Sequence, residues 1–342
     1  MPNSKSLMEI INKEVGDPQA LQYGDSPQFE PQYLSTGLRN LDTALGGGLR
    51  KGSIVLVTGA FSSGKTLLSQ YFMSEAQKDG LVVAYIDAER AFHRTWAQQS
   101  GVDVEKLLVS QTARGEKAFN IVHALIRNNA GLVVIDSLAA LLSTAQAKAE
   151  MEQKFVGDKA RMINDGINKI LDCMEESKAD TIVIAINQYR ATIGGGPGAP
   201  NVTVPGGQGQ TFYNHLWLKV RRAGWENVKS KSKAHKYPQK TGFTMAVEVY
   251  KSKQCVPFKV VRVPFDFRTQ LDEVGAVVLE ALDYGLIEAR GSYYDLDGQR
   301  FQGKAALLDY VRDKPEVVDR LAKALVDADA PPEEEEEDGA GD

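Results

Sequence analysis

The sequence from Ser53 to Thr66, SIVLVTGAFSSGKT, decides the fold of this chain of 342 residues. Its first six residues are rich in Val and Ile, which is typical of a strand buried on both faces of a parallel sheet. The eight residues from Gly59 to Thr66 match the phosphate-binding pattern G-x-x-x-x-G-K-S/T. Because a helix is predicted to begin at Lys65, the pattern lies between a strand and a helix, as this motif requires.

Other apolar runs predict the rest of the sheet. Three of them are separated by helical segments and predict parallel strands: LVVAYID (81–87), GLVVIDS (131–137) and TIVIAIN (181–187). Three later ones follow without long helices and predict antiparallel strands that extend the sheet: HLWLKV (215–220), MAVEVY (245–250) and FKVVRVPF (258–265). The predicted fold class is therefore α/β, a P-loop NTPase core with a mostly parallel central sheet extended by antiparallel strands.

Changes in composition divide the chain into four predicted segments. Residues 1–33 combine a short helix, Ser6 to Val15, with a linker rich in Pro, Gln and Gly, and predict an oligomerisation arm. Residues 34–267 form the core. Residues 268–328 contain three helical patterns and a hairpin-like Asp-Gly turn, which indicate a small α/β C-terminal domain. Residues 329–342 predict a disordered acidic tail.

Composition excludes several classes of protein. With 43% hydrophobic and 25% charged residues the chain is globular, and no apolar run approaches the length of about 18 to 20 residues that a membrane span needs. The N-terminus has no signal-peptide core, so we expect a cytoplasmic protein without membrane contact. Cys173 and Cys255 are expected to be reduced thiols, and the spacing of the four histidines predicts no structural metal.

Charge is distributed unevenly along the chain. The net charge is −5, but the last twelve residues hold seven acids, and the rest of the chain has a net charge of +2. The stretch from Lys219 to Lys240 contains eight bases against one acid, Glu226, and either neutralises phosphates or forms a solvated loop. The acidic tail either improves solubility or competes within the molecule for a basic surface.

The phosphate-binding pattern predicts a site for ATP and Mg²⁺. Its glycines let backbone N–H groups converge on phosphate at a helix N-terminus, its lysine supplies a cation, and its threonine offers a hydroxyl to Mg²⁺. The residues of this loop that would bind the nucleotide are Gly59, Ser62, Ser63, Gly64, Lys65 and Thr66. Asp136 ends a buried strand and is the predicted second magnesium partner, although strand-end aspartates are also common helix caps.

Two polar residues follow predicted strands at the same edge of the sheet. The residues Asp87, Ala88 and Glu89 follow the strand LVVAYI directly, and Glu89 is the candidate general base, or else an acid favoured by a helix dipole. Gln188 follows TIVIAIN, and its amide senses the γ-phosphate, orients water or caps a turn.

Two long loops are candidates for binding DNA. The first DNA loop spans about residues 147–159, and a helix or lid also fits its periodicity. The second DNA loop spans about residues 189–211 and carries seven glycines between Gly194 and Gly209. The nearest basic groups are Arg161 and Arg190, and for each of them phosphate pairing and surface solvation fit the sequence equally well.

The order of motifs resembles the RecA family of DNA recombinases from about Leu34 to Val326. The matching segments are LSTGLRNLDTALGGG, GAFSSGKT, AYIDAERAF, SGVDVEKLLVSQ, VVIDSLAAL, GDKARM, INQYR, PGGQGQTFY, KSKQCVPFK and QGKAALLDY. The resemblance implies a protein of DNA recombination and repair with DNA-stimulated ATP hydrolysis. Such a protein forms a helical filament on single-stranded DNA, pairs it with homologous double-stranded DNA and exchanges strands.

The resemblance also implies roles for individual residues. Trp96 takes the position that stacks on adenine, and Gln188 becomes the γ-phosphate sensor that leads into the second DNA loop. Phe212 transmits the state of that loop to the subunit interface, while Lys251 and Lys253 reach the ATP of the neighbouring subunit. The implied DNA-binding residues are Arg161, Arg190, Gly206, Gly207, Gln208 and Phe212.

The chain departs from the family pattern at several positions. Phe61 stands where the bacterial proteins have an acid, Trp96 replaces a tyrosine, and Gln208 replaces a usual asparagine. The basic insert Lys229 to Lys240 has no counterpart, and with the short arm it resembles divergent, phage-borne members. Single-strand binding proteins and mediator proteins are further candidate partners.

Two other functions compete with the recombinase hypothesis. A ring helicase or DNA-loading motor uses the same core, but the C-terminal domain and the pair Lys251 and Lys253 argue against it. A DNA-coating scaffold without hydrolysis would not need the intact set of Lys65, Glu89 and Asp136.

Overall fold

The computed structural model describes residues 3–148, 157–191, 202–207, 209–228, 239–268 and 270–329. The chain divides into two compact units, Met1–Tyr33 and Leu34–Asp342. In the first unit, helix α1 (Ser4–Val15) begins where the side chain of Asn3 accepts a hydrogen bond from the backbone N–H of Ser6. Gly16 ends this helix in the left-handed conformation. The short helix predicted for the arm is confirmed.

Strands and α-helices alternate along the chain from Ile54 to Asp136. The strands are β1 (Tyr33–Leu34), β2 (Leu49–Arg50), β3 (Ile54–Gly59), β4 (Val83–Asp87), β5 (Leu108–Ser110), β6 (Leu132–Asp136), β7 (Ile182–Gln188), β8 (Arg190–Ala191), β9 (Val202–Thr203), β10 (Leu216–Val228), β11 (Gln239–Ser252), β12 (Val260–Asp266), β13 (Gln270–Leu271), β14 (Glu288–Arg290), β15 (Tyr293–Leu296) and β16 (Gln299–Gln302). The remaining helices are α2 (Arg39–Leu45), α3 (Lys65–Lys78), α4 (Arg94–Gln99), α5 (Gly115–Arg127), α6 (Thr144–Lys148), α7 (Asp158–Ser177), α8 (Gly209–Tyr213), α9 (Glu273–Asp283), α10 (Lys304–Arg312) and α11 (Pro315–Asp329).

In the part of the chain that the structure describes, nine strands form the central sheet, in the order β13-β12-β11-β10-β3-β7-β6-β4-β5. The strands from β3 to β5 run parallel, and β11, β12 and β13 are antiparallel to their neighbours. The predicted fold class is therefore confirmed. One detail differs, because β10 pairs in parallel with β3 and the antiparallel part begins only at β11.

The parallel strands are buried on both faces. In β3, Val55 and Val57 point into one apolar cluster together with Phe72 of α3, while Ile54 and Leu56 point into the opposite cluster. Helices α5 and α7 contribute side chains to that second cluster. Because these strands are parallel, their carboxyl ends meet at one edge of the sheet, where Gly59 lies beside Gln188 and Asp87 beside Asp136.

Strands β10 and β11 are longer than the sequence predicts. Antiparallel pairing continues past the apolar runs to Trp225, which lies opposite Phe243. Two cation–π contacts stabilise the exposed end of this ribbon. Arg222 and Lys240 lie 4.1 and 4.0 Å from the centre of the Trp225 indole. The first bases of the basic stretch therefore lie on a strand and not in a loop.

The C-terminal elements enclose an apolar cluster of their own. Helices α9, α10 and α11 contribute Val277, Leu307 and Leu321 to it, and β15 contributes Leu296. Strands β15 and β16 form the hairpin that the Asp-Gly turn predicts. Among the described residues, no helix is long and apolar enough to cross a membrane.

Candidate nucleotide site

The loop between β3 and α3 is shaped by two glycines. A Cβ atom on Gly59 would lie 2.2 Å from the carbonyl oxygen of Val220, because β10 packs directly against the end of β3. Gly64, at the N-cap of α3, adopts the left-handed conformation with φ of 100°. The loop thus turns tightly into the first turn of α3, whose backbone N–H groups are suited to bind an anion.

Lys65 is buried and held by the loop itself. Its ammonium group donates to the carbonyl oxygens of Gly59 at 3.2 Å and Ala60 at 2.8 Å. Burial lowers the pKa of Lys65, and the nearby charges of Asp136 and Glu89 oppose that shift. These carbonyl bonds can be exchanged for phosphate oxygens, which would compensate the charge better.

Three oxygen-bearing side chains meet close to this lysine. The Thr66 hydroxyl donates to Oδ2 of Asp136 at 2.6 Å, and the Tyr85 hydroxyl donates to the same oxygen at 2.9 Å. Burial raises the pKa of Asp136, and the two hydrogen bonds work against that shift. Burial and the charge of Asp136 also raise the pKa of Tyr85, which therefore remains a hydroxyl donor.

Glu89 and Gln188, predicted from separate strands, are in direct contact. Oε1 of Glu89 accepts hydrogen bonds from the Ser137 hydroxyl at 2.5 Å and from Nε2 of Gln188 at 3.1 Å. Both side chains line a cavity of about 110 Å³ with Lys65, Thr66 and Asp136. The exposed ring of Phe61 borders the same cavity. The five predicted chemical groups therefore converge on one small space.

An aromatic cavity adjoins the other side of the loop. It has a volume of about 340 Å³ and is lined by residues 62–67 together with Trp96, Phe243, Phe265 and Phe267. Trp96 lies on α4 and packs edge to face on Phe265, with ring centres 6.2 Å apart. Trp96 is thus beside the phosphate loop, at the position from which an aromatic base can be stacked.

The described part of the second DNA loop packs on α7. Nδ2 of Asn187 donates to the carbonyl of Pro205 and to Oε1 of Gln210, and Nε2 of Gln210 donates to the carbonyls of Pro205 and Gly207. A Cβ atom on Gly206 would lie 2.5 Å from Cδ1 of Ile163. The loop therefore connects Gln188, which follows Asn187, to the surface of α7.

Arg161 lies near this loop. It is exposed in the first turns of α7, directly after Ala160, whose Cβ would lie 3.1 Å from a Cβ atom on Gly207. Arg190 lies on β8, which pairs with β9. Gln208, most of the first DNA loop, residues 192–201 and 229–238 and the acidic tail from residue 330 lie outside the described residues.

Lys251 lies at the opposite edge of the sheet from the phosphate loop. Its ammonium group donates to the carbonyls of Thr211 at 2.7 Å, Phe212 at 3.0 Å and Asn214 at 3.3 Å, just before β10 begins. Burial and the neighbouring charge of Lys253 lower its pKa. Phe212 is 65% exposed. The structure thus brings Lys251 and Phe212 together, outside the cavity that Lys65, Thr66 and Glu89 line.

Sequence reasoning missed several residues that complete these contacts. Ser137 and Tyr85 hold the two carboxylates, Gln210 holds the loop, and Phe265 and Phe267 line the aromatic cavity. Two of them carried a usable signal. Ser137 directly follows Asp136, and Tyr85 precedes Asp87 by two residues, which places both of their side chains on one face of β4.

The fold and the site define a P-loop nucleotide-binding protein whose phosphate loop, carboxylates and amide meet at the carboxyl edge of a mostly parallel sheet. The RecA N-terminal domain family matches residues 3–271 of the chain. Protein RecA of Thermus aquaticus is 36% identical over 329 residues, which cover 95% of this chain and 94% of that protein. Protein RecA of Macrococcus caseolyticus is 34% identical over 323 residues, with 94% and 88% covered.

The chain belongs to the RecA family. The resemblance inferred from the motifs is therefore confirmed, and so is the prediction of a recombination and repair protein. Because these relatives match almost the whole chain, the ring motor and the scaffold are not favoured.

Proposed function

We propose that the chain is a DNA-dependent ATPase that assembles with ATP into a helical filament on single-stranded DNA and exchanges strands with homologous duplex. The observation that carries this proposal is the convergence of Lys65, Thr66, Asp136 and Glu89 around one cavity at the edge of the sheet. A cation, a hydroxyl, a buried carboxylate and a second carboxylate are the groups that phosphoryl transfer to water requires.

The residues fit a magnesium ion. The Thr66 hydroxyl and the Asp136 carboxylate are hard oxygen donors 2.6 Å apart, and the buried carboxylate has a raised pKa that a cation would lower. When bound, Mg²⁺ supplies charge neutralisation to the β- and γ-phosphate oxygens. Thr66 and Asp136 would hold it.

Each of the chain's groups then has a step in hydrolysis. Lys65 leaves the carbonyls of Gly59 and Ala60 and binds phosphate oxygens. Glu89 accepts a proton from water as the water oxygen bonds to the γ-phosphorus and the bond to the bridging oxygen of ADP breaks. Gln188, which shares an oxygen of Glu89 with Ser137, contacts the γ-phosphate and so links its presence to the second DNA loop.

The aromatic cavity beside the loop is the proposed base site. Trp96 would stack on the adenine, with Phe265 and Phe267 as the other apolar walls.

A second copy of the chain completes the active site in this proposal. Strand β10 enters the sheet beside Val55 at Leu216 and reaches Gly59 only at Val220, about 13 Å further along. Carbonyls just before the start of β10 bind the ammonium group of Lys251, so this group does not reach the cavity of its own chain. In a head-to-tail assembly the edge with Lys251 and Lys253 faces the phosphate loop of the next copy, and Phe212 lies at the junction.

DNA would bind along the second DNA loop and the start of α7, where Gly206 and Gly207 pack beside Arg161. Arg190 and Gln208 belong to the same proposed surface. We also propose a cytoplasmic location, single-strand binding and mediator proteins as partners, and a division of the chain into the four segments 1–33, 34–267, 268–328 and 329–342.

Electron microscopy on long single-stranded DNA tests the assembly. With magnesium and a slowly hydrolysed ATP analogue we expect continuous helical filaments, and without nucleotide we expect none. Closed rings would contradict the proposal in favour of a motor, and filaments that ignore nucleotide would favour a scaffold.

A further inference from the structure

Tyr85 places a hydroxyl group where a core residue does not need one. Its side chain is 3% exposed in β4, and its ring packs on Phe92 with ring centres 5.7 Å apart. A phenylalanine would fill the same space and make the same ring contact. The hydroxyl therefore needs its own explanation, since a buried donor without an acceptor is destabilising.

The acceptor of this hydroxyl is the carboxylate proposed to hold magnesium. Strands β4 and β6 are adjacent and parallel, with Asp87 paired to Asp136, so Tyr85 lies two residues before the carboxylate along the neighbouring strand. Its hydroxyl reaches Oδ2 of Asp136 at 2.9 Å, within the sheet and away from solvent. The Thr66 hydroxyl reaches the same oxygen from α3.

These two hydrogen bonds have different consequences for a cation. Thr66 is itself a proposed ligand, so its hydroxyl is part of the site that must be oriented. Tyr85 is outside that ligand pair and belongs to a buried strand, so its position does not depend on the cation. Both hydroxyls bind Oδ2, and neither of these bonds uses Oδ1. The carboxylate is therefore fixed in rotation by a donor that belongs to the core.

We propose that Tyr85 is a positioning residue for magnesium, which orients Asp136 so that the site binds Mg²⁺ with nucleotide. The inference rests on the proposed function, because it takes Thr66 and Asp136 as the magnesium ligands. Partners of this kind around a ligand commonly change metal affinity by about 10- to 100-fold.

The test is Tyr85→Phe, which removes one oxygen atom and keeps the ring, and its fold is checked by thermal unfolding. A slowly hydrolysed ATP analogue is titrated by calorimetry at a series of Mg²⁺ concentrations and also with EDTA. We expect the Mg²⁺ concentration that gives half of the affinity gain to rise about 10-fold, while affinity in EDTA stays within about twofold of wild type.

Tyr71→Phe is the matched control. Its phenol oxygen on α3 accepts a hydrogen bond from the backbone N–H of Leu271 at 2.8 Å, so this variant also loses a partly buried phenol contact but none to a carboxylate. We expect it to keep the wild-type Mg²⁺ dependence.

The possible outcomes separate the two hypotheses. An unchanged Mg²⁺ midpoint in Tyr85→Phe, or an equal loss of affinity with Mg²⁺ and with EDTA, would overturn the role of Tyr85. A wild-type protein whose nucleotide affinity ignores Mg²⁺ would instead contradict the proposed function of the site.

Discussion

Lys65 and Lys251 are held in the same way at opposite edges of one sheet. Each ammonium group donates to carbonyl oxygens of the main chain, two for Lys65 and three for Lys251. Their surroundings differ, because Lys65 is buried beside two carboxylates, whereas Lys251 is more exposed and its pKa is lowered by burial and by Lys253.

The two lysines therefore differ in role. Lys65 completes a site within its own chain, whereas Lys251 remains available to another molecule. Lys65 already has counter-charges and needs only phosphate oxygens in place of carbonyls. Lys251 donates to carbonyl dipoles and has a like charge nearby, so an anion from outside the chain would be its better partner. Substitutions at either edge of the sheet test this difference.

Lys65→Ala should have the largest effect. We expect nucleotide affinity to fall about 100-fold or more, because a buried cation that faces phosphate is lost, and tight DNA binding should be lost with it. Fluorescence titrations with nucleotide and with DNA measure both. Lys78→Ala, on the exposed end of the same helix, is the control. Wild-type DNA affinity with ATP in Lys65→Ala would refute this coupling.

Glu89→Gln isolates chemistry from binding at the same edge. ATP turnover should fall about 10²- to 10⁴-fold because the amide cannot accept the proton, while nucleotide affinity is kept. Steady-state ATPase rates and equilibrium titration measure the two. Normal hydrolysis in this variant would remove Glu89 from the role of base.

Lys251→Ala tests the opposite edge. Turnover on DNA should fall about 100-fold or more, because the site loses a cation that stabilises the developing charge. An equal mixture of Lys251→Ala and Glu89→Gln chains should recover about one quarter of wild-type turnover, since random assembly pairs an intact Glu89 with an intact Lys251 at that fraction of junctions. If the mixture stays inactive, Lys251 does not act on a neighbour.

Ser137→Ala removes a hydrogen bond that positions Glu89, the proposed general base. Because one of two donors to Oε1 of Glu89 is lost, we expect kcat to fall about 5- to 10-fold with KM for ATP unchanged. Ser137→Thr, which restores a hydroxyl, should recover most of the rate. A change in KM alone would indicate a role in ground-state binding.

The smallest expected effect is on stability and concerns His215, which lies beside Lys253 at the edge of the sheet that carries Lys251. Burial, then Lys253, Arg50 and Lys251, lower its pKa to about 4. The unfolded chain therefore binds more protons between about pH 6.5 and pH 4, and stability should fall across this range as pH decreases, by about 1 to 2 kcal/mol after allowance for solvent screening. Urea unfolding of wild type and His215→Asn measures it, and the variant should show a flatter dependence.

The sequence predicts the buried part of the fold well because apolar runs mark strands that are covered on both faces. The helical pattern from Lys304 to Arg312 predicts a helix, and α10 has these bounds. The ends of β10 and β11 were not predictable in this way, because the ribbon around Trp225 is exposed and depends on cross-strand pairing and on cations above a ring.

The candidate site shows the same division. Lys65, Thr66 and Asp136 follow from a motif and a strand end. The contacts of Ser137 and Tyr85 depend on which strands are neighbours and in what register. Both contacts require that Asp87 pairs with Asp136 on the neighbouring strand. The hydrogen bonds from Lys251 to carbonyls of its own chain depend on where α8 lies. The hydrophobic periodicity of the sequence does not indicate that position.

The packing of β10 against β3 has a consequence during synthesis on the ribosome. The hydrogen bond from Trp217 to Thr58 connects residues 159 positions apart, and Gly59 fits against Val220 in the same strand pair. At about 5 to 20 residues per second, the phosphate loop is made roughly 8 to 30 s before the strand that closes it. In a nascent chain the phosphate loop therefore lacks its neighbouring strand β10 for that time.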